Sequence, residues 1–274
     1  MRFSRVKSKL RRNEPALITC CHFTDASVYE LVSLLGFDGI WLDLEHHATS
    51  LETAAGLMRA ARVGVSDIIA RPARWEYMRM GRILEAGAQG IMYPRCESAD
   101  EAREVVRWAK FAPQGRRGVD GANGDNPYCS MPMPAYLQAA NEHTLLIVQL
   151  ESPEALDAAD EIAAVEGVDV LMVGPGDLSV IAGIPYQFEH PLIQDAYARA
   201  AAAAKQAGKW WGTVSGHPDH TRKLLDMGAR FVCHGADIIQ VKLGMEAIQE
   251  RYAPLGFTFE NRLRQMAEEL NQSR

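Results

Sequence analysis

Apolar positions along the chain gather into short runs separated by longer amphipathic stretches. The runs are "ALITCCHF" (16–23), "DGIWLDLE" (38–45), "DIIARP" (67–72), "GIMYP" (90–94), "TLLIVQLE" (144–151), "VDVLMVG" (168–174), "KWWGTVS" (209–215) and "RFVCHG" (230–235). Runs this short, alternating with helical stretches, predict β-strands. Segments such as "VYELVSLLG", "LETAAGLMRAARVG", "MGRILEAGAQ", "ADEAREVVRWAKF", "AYARAAAAAKQAGK" and "HTRKLLDMGA" carry apolar residues at helical spacing, and several close on a glycine suited to ending a helix. Strand then helix, eight times within about 250 residues, predicts a (β/α)8 TIM barrel. An open doubly wound sheet is the competitor, weakened by the absence of a GxGxxG after the first strand and of a phosphate-binding P-loop.

No Pro/Ser-rich linker or shift of composition divides the 274 residues, so the reading is one domain. The barrel would occupy about residues 14–250 and a C-terminal helical extension about 251–274. The stretch from Gly115 to Pro134 is the one long irregular segment, and such loops in compact domains are usually functional. The opening "MRFSRVKSKLRR" carries six basic residues and no acid. A transit peptide is one reading; a basic helix covering one end of the domain is the better one, which Phe3, Val6 and Leu10 at helical spacing favour.

Composition removes some classes. A net charge of -6 and a pI near 5.8 argue against a nucleic-acid partner, which would select a basic face. No segment is long and apolar enough for a membrane span. Five scattered cysteines without a CxxC pair suggest free thiols in a reducing cytoplasm.

Catalytic groups of such barrels come from the C-terminal ends of strands. Those ends carry His22, Asp43, Glu45, His46, Arg71, Arg95, Gln149, Glu151, Asp177, Ser215, His217 and His234. Gln149 and Glu151 are two apart, so an extended strand points both to one face. Asp177 sits in "GPGDLS", whose glycines allow close approach of backbone amides to a small anion. Two carboxylates on adjacent strand ends, with no cysteine nearby, suit a hard divalent cation such as Mg²⁺ or Mn²⁺. Each carboxylate taken alone could instead cap the helix that follows it.

Taken together, "GFDGIWLDLEHHATS", "ARP", "ILEAGAQGIMYPRCESADEAREVV", "PQGRRGV", "VQLES" and "VEGVDVLMVGPGDLS" resemble the HpcH/HpaI family of metal-dependent, class II pyruvate aldolases, over about residues 8–250. The resemblance implies a homo-hexamer with its last helices exchanged between subunits. It implies that Glu151 and Asp177 bind the metal (Mg²⁺, Mn²⁺ or Co²⁺), which pyruvate chelates. Gln149 and the backbone at Gly176 and Asp177 would orient pyruvate, Arg71 would lie against its keto oxygen, and His46 would be the base, together with a metal-bound water. Asp43 and Glu45 would hydrogen-bond metal waters or orient His46. The expected activity is reversible aldol cleavage of hydroxy-2-oxo acids to pyruvate, or a related 2-oxo acid, and an aldehyde.

The residue types agree with that chemistry. Forming an enolate from a methyl ketone needs cationic groups where negative charge develops and a base that titrates near neutrality, roles suited to arginine and histidine. Two departures stand out. Family members usually carry Asp where this chain has Glu85, the carboxylate expected to support a neighbouring subunit's histidine. His47 replaces a small residue, and it either competes with His46 or faces away, the latter preferred. Oxaloacetate decarboxylation, a CoA-ester or citrate-type lyase, and a non-enzymatic 2-oxo-acid-binding barrel are the alternatives. A Schiff-base aldolase is disfavoured because no lysine ends a strand. Aldehyde selectivity is expected from the 115–134 loop, His217, His234 and the C-terminal region.

Overall fold

All eight predicted runs adopt extended backbone in the computed structural model, which describes residues 3–272. The order is α1 (Arg5–Arg11), β1 (Ala16–Cys21), α2 (Ala26–Leu34), β2 (Gly39–Asp43), α3 (Leu51–Ala60), β3 (Asp67–Arg71), α4 (Tyr77–Ala86), β4 (Gly90–Tyr93) and α5 (Ala99–Ala109). After a long connection come α6 (Met133–His143), β5 (Leu145–Leu150), α7 (Pro153–Asp157), α8 (Ala159–Ala163), β6 (Val170–Val173), α9 (Pro175–Ile181), α10 (Pro191–Gln206), β7 (Trp210–Val214), α11 (Pro218–Asp226), β8 (Phe231–Ala236), α12 (Asp237–Tyr252) and α13 (Arg262–Gln272). The strands are parallel and close in sequence order, β8 pairing with β1, into a (β/α)8 barrel.

Several elements differ from the predicted bounds for local reasons. Strand β2 stops at Asp43 because the Asp43 carboxylate accepts the amides of Glu45 (3.0 Å) and His46 (3.4 Å), turning the chain out of the sheet. Helix α10 starts five residues before the predicted Ala196, with His190 as its cap and Pro191 in its first turn, where a missing N–H costs nothing.

Alternate strand residues divide the apolar side chains into two layers. Ile18, Ile69, Met92, Ile147, Met172 and Phe231 point inward and fill the barrel. Ile40, Ile68, Ile91, Val148, Leu171 and their neighbours point outward, where the helices cover them.

The basic opening segment is a docked helix. Val6 and Leu10 join the inner apolar layer, and the basic side chains pair with acids at strand starts: Arg5 and Lys9 with Asp38 (2.8 and 2.7 Å), Lys7 with Asp169 (2.9 Å). Asp67 accepts from Ser4 Oγ (2.7 Å) and the amides of Arg5 (3.0 Å) and Val6 (2.8 Å), capping the helix from across the barrel floor. Phe3 does not join this layer; it is exposed and lies against His143.

Residues 115–131 carry the irregular segment, held by Arg117 to Asp125 (3.2 Å), Tyr136 to Asp125 (2.8 Å) and Arg62 to the Gly124 carbonyl (3.1 Å). It connects α5 to α6 ahead of β5, so it lies at the N-terminal end of the strands. Within its own chain it therefore lies at the end of the barrel away from the mouth.

Compact packing divides between Ala236 and Asp237, ahead of residue 251 where the sequence reading began the extension. The second unit holds α12 and α13, with Ile239, Val241, Leu243 and Met245 of α12 exposed. Among the described residues no helix is long and apolar enough to cross a membrane.

Asp67→Ala should remove a buried acceptor of three hydrogen bonds and lower unfolding stability by about 3 kcal/mol. Urea denaturation measures this, and a change below about 0.5 kcal/mol, the scatter of neutral surface substitutions, would show that the α1 dock is not part of the stable barrel.

Candidate active site

Parity brings the polar residues to one place. Ile69 faces the interior and Arg71 continues its face; Leu145 and Ile147 do the same for Gln149 and Glu151; Trp41 does so for Asp43. All lie where the apolar layers end, at the C-terminal mouth of the barrel.

Arg71 is the hub. Its Nε and Nη2 donate to the two oxygens of Asp43 (3.1 and 2.6 Å), its Nη1 reaches Gln149 Oε1 at 3.4 Å, and its guanidinium lies over the Trp41 ring at 4.6 Å. Burial opposes the charge of each partner, but the paired hydrogen bonds outweigh it, holding Asp43 below the usual carboxylate range and Arg71 above its own. Asp43 is thus committed to Arg71 and to the turn after β2. Contact with the His46 ring falls instead to Glu45, whose Oε2 lies 3.7 Å from His46 Nε2 and 3.3 Å from Arg71 Nε.

Arg95, a strand-end residue given no role from the sequence, joins two of these groups. Its backbone is left-handed (φ 47°), which turns its amide onto Glu151 Oε2 at 2.9 Å, while its side chain pairs with Glu45. No sequence signal marks a positive φ at an arginine.

Glu151 does not cap α7; Ser152 does, accepting the Ala155 amide at 3.1 Å. Asp177 lies in the first turn of α9, exposed, past Gly174 and Pro175, and makes no capping hydrogen bond. Burial pushes the Glu151 carboxyl up to about 7; Arg71 and the Arg95 amide oppose this, and the nearby charges of Asp177 and Glu45 add to it. Gly174 leaves room for the Glu151 side chain, since a Cβ there would lie 2.1 Å from Oε1. A buried carboxylate repelled by a second one, both offering oxygen, fits a hard divalent cation, whose charge would relieve the repulsion.

The histidines occupy the other side of the mouth. His46 is exposed, and His47 lines the same cavity, its ring 4.4 Å from His22. The expectation that His47 faces away is corrected: alternation ends with the strand at Asp43, so neighbouring residues need not oppose each other. His234 also lines the cavity, whereas His217 caps α11 by accepting the His220 amide at 3.2 Å.

Glu85 stands apart. It lies near the end of α4, ahead of β4, and burial raises its carboxyl, with Arg117 opposing and Asp120 and Asp125 adding to the shift. It shares that end with the 115–131 segment, away from the mouth of its own barrel. Lys110, pushed down to about 7 by burial, is also at the floor, donating to the carbonyls of Asn141 and Thr144 at 2.7 Å each.

Comparison with known proteins places this arrangement. The family model for HpcH/HpaI aldolase/citrate lyase matches residues 22–242. The chain is 33% identical to a hydroxypyruvate/pyruvate aldolase of Delftia acidovorans, over 90% of this chain and 91% of that protein. It is 31% identical to a 4-hydroxy-2-oxo-heptane-1,7-dioate aldolase of Shigella sonnei, over 90% and 94%. A crystal structure of an HpcH/HpaI aldolase/citrate lyase family protein from Burkholderia cenocepacia superposes with a TM-score of 0.83 at 32% identity, covering 90% of this chain and 98% of that one. With the barrel, its mouth and these matches spanning most of its length, the chain belongs to the HpcH/HpaI aldolase/citrate lyase family.

Proposed function

We propose that this protein is a divalent-metal-dependent class II aldolase that joins pyruvate, or a related 2-oxo acid, to an aldehyde and cleaves the resulting 4-hydroxy-2-oxo acid. The observation that carries the reading is the buried Arg71 set between Asp43 and Gln149, with the raised carboxyl of Glu151 beside it.

Glu151 and Asp177 would hold the cation, which when bound draws electron density from the 2-oxo acid and eases loss of a methyl proton. Mg²⁺, Mn²⁺ and Co²⁺ all suit two carboxylates. Arg71 Nη1 is the least committed guanidinium nitrogen, its Gln149 contact being long, and it faces the keto oxygen on which negative charge grows. Gln149 and the amides of Gly176 and Asp177 orient the substrate carboxylate. His46 takes the methyl proton; the enolate carbon then attacks the aldehyde carbon, and the aldehyde oxygen gains a proton as it becomes a hydroxyl. Glu45 steadies the His46 ring, and Asp43 keeps Arg71 in place. Glu85 serves the His46 of another subunit in a homo-hexamer, a reading supported by its position away from its own mouth and by the exposed apolar residues of α12. Five free thiols support a cytoplasmic setting.

Pyruvate in D₂O, with metal and no aldehyde, should exchange its methyl protons. The exchange should vanish on chelation and in Glu151→Gln, and His46→Ala should lose it while still binding pyruvate. Full exchange after exhaustive chelation would sink the metal-dependent reading, and loss in His47→Ala alone would move the base to His47.

Arg71→Lys should lower kcat/KM by at least about a hundredfold, as loss of an oxyanion donor does, because a point charge replaces a planar fork held by Asp43. Near wild-type turnover would reduce Arg71 to a structural ion pair.

Mixing His46→Ala with Glu85→Ala subunits should rebuild whole sites, with His46 from one variant and Glu85 from the other. Verified mixed oligomers that form pyruvate no faster than either variant alone would show that Glu85 does not act across subunits.

A further inference from the structure

At the mouth, on the β8, β1 and β2 side, a cavity of about 330 Å³ adjoins Arg71 and His46. That is the lower end of the size range of small-molecule sites. Among the described residues that line it the fixed charges are Asp43 and Arg71, which neutralise each other across 2.6 Å. The remaining polar lining is dominated by imidazole, from His22, His47 and His234 in addition to His46.

The hydrogen bonding of His234 sets what it can offer. Its Nδ1 lies 2.7 Å from the Ser215 carbonyl oxygen, which can only accept, so Nδ1 carries a proton and the neutral ring presents Nε2 as an acceptor. Burial holds His47 below its ordinary range, with Asp43 opposing and His22, Arg71 and His46 adding to the shift, so at neutral pH this ring offers one donor and one acceptor.

These features discriminate between classes of aldehyde. A carboxylate or phosphate would leave water for a wall with no uncommitted fixed cation. An alkyl chain would strip water from the ring nitrogens and give nothing in return. A hydroxyl both donates and accepts, matching what His234 and His47 present.

We propose that this cavity is the aldehyde subsite, and that His234 and His47 select short, uncharged hydroxyaldehydes. The proposal rests on the aldolase reading above.

The test is aldol addition with pyruvate and Mg²⁺ or Mn²⁺, comparing glyceraldehyde, propanal and succinic semialdehyde. Glyceraldehyde should exceed each of the others in kcat/KM by about tenfold or more, the worth of one net hydrogen bond. His234→Leu should bring the glyceraldehyde-to-propanal ratio toward one, and His234→Gln, which keeps an acceptor, should recover part of it. His47→Leu repeats the test from the second wall if the His234 variants do not fold. Methyl exchange without aldehyde separates the two readings: its absence overturns the aldolase. Exchange together with a preference for the charged or alkyl aldehyde, or with a ratio that no variant moves, overturns the hydroxyaldehyde subsite alone.

Discussion

Closing eight parallel strands on themselves leaves every second residue with nowhere to point but inward. Apolar side chains can fill that interior only as far as the strands run, from Val6 and Leu10 at the floor to Ile147 and Met172 higher up. Where they stop, the inward positions become a ring of converging side chains open at one end. Asp43, Arg71, Gln149 and Glu151 are polar residues at those positions, and their proximity follows from closure rather than from any local motif.

Converging charges have to be reconciled with burial. Arg71 and Asp43 lose hydration together, and their two hydrogen bonds repay it only while both are present. Glu45 joins the same group through Arg71 and Arg95. Glu151 is the exception: among the described residues only the Arg95 amide bonds it directly, and burial raises its carboxyl against the pull of Arg71. Most of the mouth is internally balanced, and the imbalance concentrates beside Asp177, on the side away from the histidines.

The sequence was most legible where periodicity and closure act together. Eight apolar runs sufficed for the barrel, and the two-residue spacing of Gln149 and Glu151 put both on one face, which the inward packing of Leu145 and Ile147 identifies as the inner one. Legibility ended where the chain leaves regular structure. The stop of β2 depends on Asp43 accepting two amides ahead of it, so His47, expected to face away, lines the mouth instead. Arg95 needs a positive φ, and Gly174 needs the absence of a Cβ beside Glu151; neither has a pattern in one dimension. The length of the 115–131 segment marked it as irregular, but not its place: it joins α5 to α6 ahead of β5 and is tied to Arg62 ahead of β3, which puts it at the floor of its own barrel.

The docking of α1 has a consequence for the order in which the chain is made. This helix is synthesised before the strands it docks against, and its partners are spread along the chain: Asp38, Asp67, Thr144 and Asp169. Lys7 reaches Asp169 across a separation of 162 residues, so its ion pair cannot form until β5 and the start of β6 have left the ribosome. Until then the basic side chains have Glu14 and Asp38 nearby to pair with, and Val6 and Leu10 have no closed floor to bury against. The barrel's first element is therefore among its last to be completed.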